Sequence, residues 1–454
     1  MTMTISPSKP LSGTVALPGD KSLSHRSALF ATLAAGHSRI ENFLISGVTS
    51  RMLDALTRMS IPWKLEGTTL TVDGKGIGGF SVPFAPLNCG NSATTIRFLA
   101  GALAASGTPA VLDGSEGLRR RPMDRIILPL QQMGVNIKGN NGFAPISLGV
   151  SQLPLKGGTY IVPVSSAQVK SCLLLAGLSA REPVTVEEPG FSRDHTERML
   201  AGMGVSIHSE KKVIDGSPRY LTHLIPPSTN YSLKPLNMTI PGDFSSAAFL
   251  IVAALITPGS EITLKNIGLN ATRTGLLDVL LSMGASIQIV ARPSSNGEPV
   301  GDLTVRHSPL KGININGEQV VRMIDEFPIF AVAAAYAEGA SIVKDASELR
   351  LKESDRISSL VAELKNLGAD VEESTDGFTI HGHGGLIGGE MNPHGDHRLA
   401  MSMAIAGLAS ASPVTIQQPE IMDESFPGFA NTLSGIGADI KVNSENTVKE
   451  SVQA

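Results

Sequence analysis

Aromatic residues make up only 4% of this 454-residue chain, with a single Trp. Binding to single-stranded nucleic acid rests on aromatic platforms and a basic groove, and a net charge of −4 supplies no general pull towards polyanions or anionic membranes. Two cysteines, Cys89 and Cys172, are too few for a disulfide framework and fit a reducing compartment. The longest apolar run, AAFLIVAALI at 247–256, falls short of the ~20 residues that span a bilayer. The opening MTMTISPSKPLSG has no cationic stretch followed by an apolar one, so a cytoplasmic protein is expected. Also missing are GxxxxGK[ST], GxSxG and HExxH. The histidines of HGHGG (381–385) and HGDHR (394–398) have neither cysteine partners nor helical HxxxH spacing, so no metal or cofactor is expected.

What the chain does have is repetition. LTRMSIPWKL (56–65), LQQMGVNIKG (130–139), LAGMGVSIHS (200–209), LLSMGASIQI (280–289), LKNLGADVEE (364–373) and LSGIGADIKV (433–442) each read as a helix end, a stop, and an alternating strand. Ser60 stands where the other five copies have Gly. An Ala/Leu-rich helix running into a strand precedes each copy, as in RFLAGALAASGTPAVLDG, and helices this apolar all round belong inside. The tetrapeptide LPGD (17–20) returns as IPGD (240–243) and divides six α/β units three and three. Two lobes are expected, 19–240 and 1–18 plus 241–454, joined by two crossings near 19 and 241 with a substrate cleft between them.

The six apolar helices start with DKSLSHR (20–26), GNSATTIR (90–97), SSAQVK (165–170), GDFSS (242–246), DEFP (325–328) and GDHR (395–398). In the first, Lys21 and His25 share a face, as do Ser22 and Arg26. Cations there oppose the helix dipole unless an anion is bound, and helix N-termini are natural anion sites. Six such starts at equivalent places are expected to converge, with Lys21, Arg26, Lys170 and Arg398 adding full charges. Arg119, Arg120 and Arg121 follow in DGSEGLRRRPMDR, and ELRLKESDR is expected to place Lys352 and Arg356 on one helix face beside Glu353. Five or six cations in one cleft repel one another unless a small polyanionic ligand compensates them.

LPGDKSLSHR, NCGNSATTIR, RRRPM, SSAQVK, IDEFP, LKESDR and GDHRLAM, in this order, closely resemble the 5-enolpyruvylshikimate-3-phosphate (EPSP) synthase family over essentially the whole chain. The resemblance implies a two-lobed inside-out α/β barrel of six βαβαββ-type units. It also implies transfer of the enolpyruvyl group of phosphoenolpyruvate to the 5-hydroxyl of shikimate 3-phosphate, by a monomer without a cofactor. By motif, Lys21 is expected to touch both substrates. Shikimate 3-phosphate falls to Ser22, Arg26, Ser166, Ala167, Gln168, Arg193, Asp325 and Lys352. Phosphoenolpyruvate falls to Asn91, Ala93, Arg121, Gln168, Arg356 and Arg398. Asp325 is the expected base for the 5-hydroxyl, with Glu353 and Lys21 serving proton transfer at the methylene.

Two positions depart from the family pattern. Ala93 stands where many members have Gly, which points to the glyphosate-tolerant class, with glyphosate a weak inhibitor. Glu424 in MDESFP stands where some relatives carry a Lys. The nearest rival, UDP-N-acetylglucosamine enolpyruvyl transferase, places a reactive Cys in the loop that here reads DGSEGLRRRPM and has none. An RNA-end-processing protein on related repeats is disfavoured by the charge and the scarcity of aromatics.

Overall fold

A computed structural model describes residues 1–228 and 232–443. Its secondary structure falls into six four-stranded sheets, all with one strand order. The second sheet shows the plan. Leu87–Asn88 pairs in parallel with Ala110–Asp113, the strand after a buried helix (Ala93–Ser106), and the hairpin Ile137–Asn140/Phe143–Leu148 completes the sheet antiparallel. The hairpin follows an amphipathic helix, Asp124–Gln132. The repeated sequence phrase thus covers the turn from that outer helix into the hairpin. Its stop residue needs a positive φ: Gly134, Gly204, Gly284, Gly368 and Gly437 lie between +89° and +107°, and Ser60 adopts +60°. Glycine makes that conformation free of Cβ strain, which explains five of the six copies.

The apolar helices are interior as their composition demands. All thirteen residues of Phe244–Ile256 are buried, and only Lys21 and Ser22 of Lys21–Leu33 escape full burial. The buried side chains form two separate clusters. One runs from Leu23 to Ile240; the other joins Met3–Leu17 to Phe244–Ala438. Two strands are exchanged between them. Ser12–Ala16, just before LPGD, pairs in parallel with Glu261–Lys265, while Asn237–Thr239, just before IPGD, pairs with Arg39–Glu41. In the sixth sheet the opening strand Thr2–Ile5 fills the hairpin place, between Val414–Gln417 and Ile440–Asn443.

The two Pro-Gly-Asp turns meet. Gly19 and Gly242 form an antiparallel bridge, Asp20 N–H donates to Pro241 O at 2.9 Å, and Asp243 N–H donates to Pro18 O at 3.1 Å. A Cβ on Gly19 would sit 1.8 Å from the carbonyl oxygen of Asn42, so the close approach demands glycine. Arg273 locks the junction by pairing with both Asp20 and Asp243, all three side chains 4% exposed or less. Among the described residues no helix is long and apolar enough to cross a membrane.

Candidate active site

One cavity of about 420 Å³ lies between the two clusters. It falls within the ~300–1,000 Å³ typical of small-molecule clefts. Helix starts build a large part of its wall: Lys21 and Ser22, Asn91 to Thr94, Ser165 to Gln168, and His397 with Arg398, joined by Asp325 just ahead of the fifth buried helix. The fourth start stays out. There Asp243 turns to Arg273, and Asp243 Oδ2 accepts from the backbone N–H of Lys21 at 3.0 Å.

Capping separates the starts further. Asp20, Ser92, Asp243 and Asp396 each accept a backbone N–H of their own first turn, whereas Ser166 and Glu326 make no such bond. The donors at Ser166–Gln168 are therefore the ones left free beside the cavity, in keeping with an anion site. Four starts use acids or hydroxyls to finish the helix, which is the ordinary reason for polar residues there.

Thirteen of the fifteen site residues expected from the sequence line this cavity: Lys21, Ser22, Asn91, Ala93, Arg121, Ser166, Ala167, Gln168, Arg193, Asp325, Lys352, Glu353 and Arg398. The structure places Arg26 and Arg356 behind the wall instead. Arg26 donates to Thr196, Ser171 and the Ser22 carbonyl, with its guanidinium 4.7 Å over the Phe98 ring. Arg356, 1% exposed, pairs with Asp396 at 2.7 Å and with Glu353 at 2.6 Å, and its Nη1 lies 3.5 Å from Asp325. Lys352 and Arg356 do not share a helix face: Asp355 caps the helix that begins at Arg356, and Lys352 precedes it in a turn. Lys170 is no part of the cleft either, being wholly buried between Glu188 (3.0 Å) and Glu197 (2.7 Å). Of the three consecutive arginines, Arg119 pairs with Asp113, Arg120 is exposed, and Arg121 enters the cavity 3.4 Å from Glu353.

Several lining groups escaped the sequence reading. Arg97 donates to Gln168 at 2.6 Å and to the Pro122 carbonyl, and burial, with Arg125 and Arg121 nearby, draws its guanidinium down to about 10. Arg125 binds Glu348 through two contacts of 3.0 Å. His397 lies 3.6 Å from Glu424, the acid standing in the loop near the C-terminus. The 381–398 histidines do not gather, and no group of three potential metal ligands forms among the described residues.

The electrostatics are set by cations gathered around two carboxylates. Burial favours neutral Asp325, but Arg398, Arg193, Lys352 and Arg356 overcome it and hold its carboxyl well below the usual range. Glu353 is held down in the same way, against burial, by Arg356, Arg121, His397 and Lys21. Burial and Arg398 lower Lys21, and burial with Arg356 lowers Lys352, against the pull of the nearby acids. Two carboxylates thus face an ammonium that gives up its proton more easily than a free lysine.

The family model described as EPSP synthase (3-phosphoshikimate 1-carboxyvinyltransferase) matches residues 5–433. A Geobacter sulfurreducens protein named 3-phosphoshikimate 1-carboxyvinyltransferase is 44% identical over 430 residues, covering 95% of this chain and 98% of that relative. A Roseiflexus protein of the same name is 45% identical over 437 residues, covering 96% and 99%. The solved EPSP synthase of Acinetobacter baumannii superposes with a TM-score of 0.85 at 38% identity, covering 98% of this chain and all of that one. With six like-ordered sheets, two cores and a cationic cleft already in view, these matches fix the kinship: the chain belongs to the EPSP synthase family.

Proposed function

We propose that this chain transfers the enolpyruvyl group of phosphoenolpyruvate to the 5-hydroxyl of shikimate 3-phosphate, releasing phosphate. The observation that carries the reading is Arg356, whose guanidinium reaches both Glu353 and Asp325 and so fixes two carboxylates around one cationic cleft. Asp325 takes the 5-hydroxyl proton as the oxygen attacks the enol carbon, and Lys21 supplies a proton to the methylene. The resulting ketal loses phosphate as Glu353 removes a methyl proton. Both steps need acid and base within hydrogen-bond reach of the reacting atoms. Substrate phosphates and carboxylates neutralise the surrounding guanidiniums, raising both acids into a range where they exchange protons.

Shikimate 3-phosphate is assigned to Ser22, Ser166, Ala167, Gln168, Arg193 and Lys352, with Arg26 holding the Ser22 backbone from behind. Phosphoenolpyruvate is assigned to Asn91, Ala93, Arg121, Gln168 and Arg398, with Arg356 behind the two acids. Arg–carboxylate and Arg–phosphate pairing supplies the orientation. The working halves are 19–240 and 1–18 plus 241–454, hinged where the Pro-Gly-Asp turns meet, and closure excludes water from the ketal. A monomer is proposed, and the two free, buried cysteines suit the cytoplasm. Ala93, 4% exposed, lines the cavity at the first turn of its helix, which supports reading this enzyme as glyphosate-tolerant. Transfer to UDP-N-acetylglucosamine is disfavoured: Cys89 is buried, and burial pushes its thiol up to about 12.

The test is phosphate release from phosphoenolpyruvate that depends on shikimate 3-phosphate and disappears in Asp325→Ala. Turnover with UDP-N-acetylglucosamine in its place would reverse the assignment.

A further inference from the structure

Arg193 reaches into the cavity from the loop GFSRDH (190–195) and donates to Asp325 at 2.8 Å, across the gap between the two halves. An arginine side chain has much rotamer freedom to lose, so something must hold the loop that aims it. Its own half holds one side: the Lys170 ammonium donates to the Ser192 carbonyl at 3.2 Å and lies 5.0 Å over the Phe191 ring. The other half holds the other side, at the residue next to Arg193. Asp194 accepts from Asn270 Nδ2 at 2.7 Å and from the Thr272 hydroxyl at 3.3 Å, and its own N–H donates to that hydroxyl at 3.4 Å.

Asn270 is 2% exposed and central to this seam. The same amide nitrogen donates to Glu298 Oε2 at 2.9 Å, while Glu298 Oε1 meets His195 Nδ1 at 2.8 Å. Its carbonyl oxygen accepts from the N–H of Thr272 at 3.0 Å and from the Thr272 hydroxyl at 2.7 Å. One buried amide therefore lies between two carboxylates from opposite halves, Glu298 and Asp194, the latter also paired with Arg198 at 2.9 Å. Arg273, three residues on, is the clamp of the hinge.

We infer that Asn270 is a positioning residue: by bridging Asp194 to Glu298 where the halves dock, it makes the aim of Arg193 at shikimate 3-phosphate conditional on the docked arrangement. This rests on the assignment of Arg193 to that substrate. Asn270 touches no substrate itself, because it does not line the cavity. Its loss selectively weakens the one substrate that Arg193 grips.

The test is the pair of KM values in Asn270→Ala, Thr272→Val and Arg193→Gln, with thermal midpoints alongside. Loss of one buried hydrogen-bonded bridge predicts that Asn270→Ala raises KM for shikimate 3-phosphate ~10-fold, while KM for phosphoenolpyruvate stays within ~2-fold. Thr272→Val, which keeps the side-chain shape, shifts the same KM by ~3-fold and decides the matter if Asn270→Ala fails to fold. Arg193→Gln raises it at least as much as either. Equal changes in both KM values, or no change in the two seam variants while Arg193→Gln still raises KM, overturns the role of Asn270 alone. No effect of Arg193→Gln overturns the substrate assignment and takes the inference with it.

Discussion

The two Pro-Gly-Asp turns open helices of equal length, Lys21–Leu33 and Phe244–Ile256, and both aspartates cap their own helix and pair with Arg273. Beyond that point they diverge. Where the first helix continues Lys21, Ser22, Leu23, Ser24, His25 and Arg26, the second has Phe244, Ser245, Ser246, Ala247, Ala248 and Phe249. One start faces the cleft; the other is sealed. Identical scaffolding at related places therefore says nothing about chemistry, which resides in the side chains that follow the cap.

Removing the shared clamp breaks both crossings together. Arg273→Ala leaves Asp20 and Asp243 buried without their cation and is expected to cost about 3–5 kcal/mol of stability, read from urea midpoints. A loss below about 1 kcal/mol refutes the clamp. The divergence itself is tested by Lys21→Met against Phe244→Leu. The first lowers kcat/KM by ~10²–10³ at nearly unchanged melting temperature, and the second costs about 1 kcal/mol of stability at nearly unchanged activity. Comparable activity losses in both would erase the distinction.

His25 sharpens the contrast through pH. Burial, reinforced by Lys21 and Arg26, draws its imidazole down to about 4 from 6.5. The folded protein resists a proton that the unfolded chain accepts, so stability is present above pH 6.5 and falls as pH drops towards 4. His25→Gln should remove part of that acid-side loss, at most about 3 kcal/mol, whereas no counterpart exists at Ala248. At a third helix start, Ala93→Gly removes one methyl and should tighten glyphosate inhibition by ~10-fold or more, the usual worth of such a group in a pocket. Unchanged inhibition removes this chain from the tolerant class. The smallest effect concerns the alkaline limb of kcat/KM. With Lys21 lowered by burial, its proton leaves below pH 10.5, so the limb lies under that value and moves up in Lys21→Arg where activity remains measurable.

Local pattern made much of this readable beforehand. Periodic apolar helices, recurrent glycine stops and polar helix starts report on neighbours in sequence, and they led to the six units and to helix starts that meet at the cavity, while the individual site residues came from the resemblance of the motifs. Groups whose meaning depends on distant partners stayed hidden. Arg273 looks like an ordinary loop arginine in NATRTG until Asp20, 253 positions away, is brought against it. Asn270 is equally mute without Asp194 and Glu298. Arg26 and Arg356 show the converse: motif and spacing named them, yet Thr196, Ser171 and Asp396 hold their side chains behind the cleft wall, from which Arg356 reaches only the lining acids Glu353 and Asp325.

The opening strand carries a consequence for how the molecule comes into being. Thr4 touches Thr415 across 411 positions, and Thr2–Ile5 sits between Val414–Gln417 and Ile440–Asn443, both far downstream. On a ribosome the sheets of the 23–240 half can close while Thr2–Ile5 waits unpaired, and the second half closes only once residues 414–443 have been made. Such distant pairing is slow to find, so a chaperone that shields this waiting strand would gain most from acting late in synthesis.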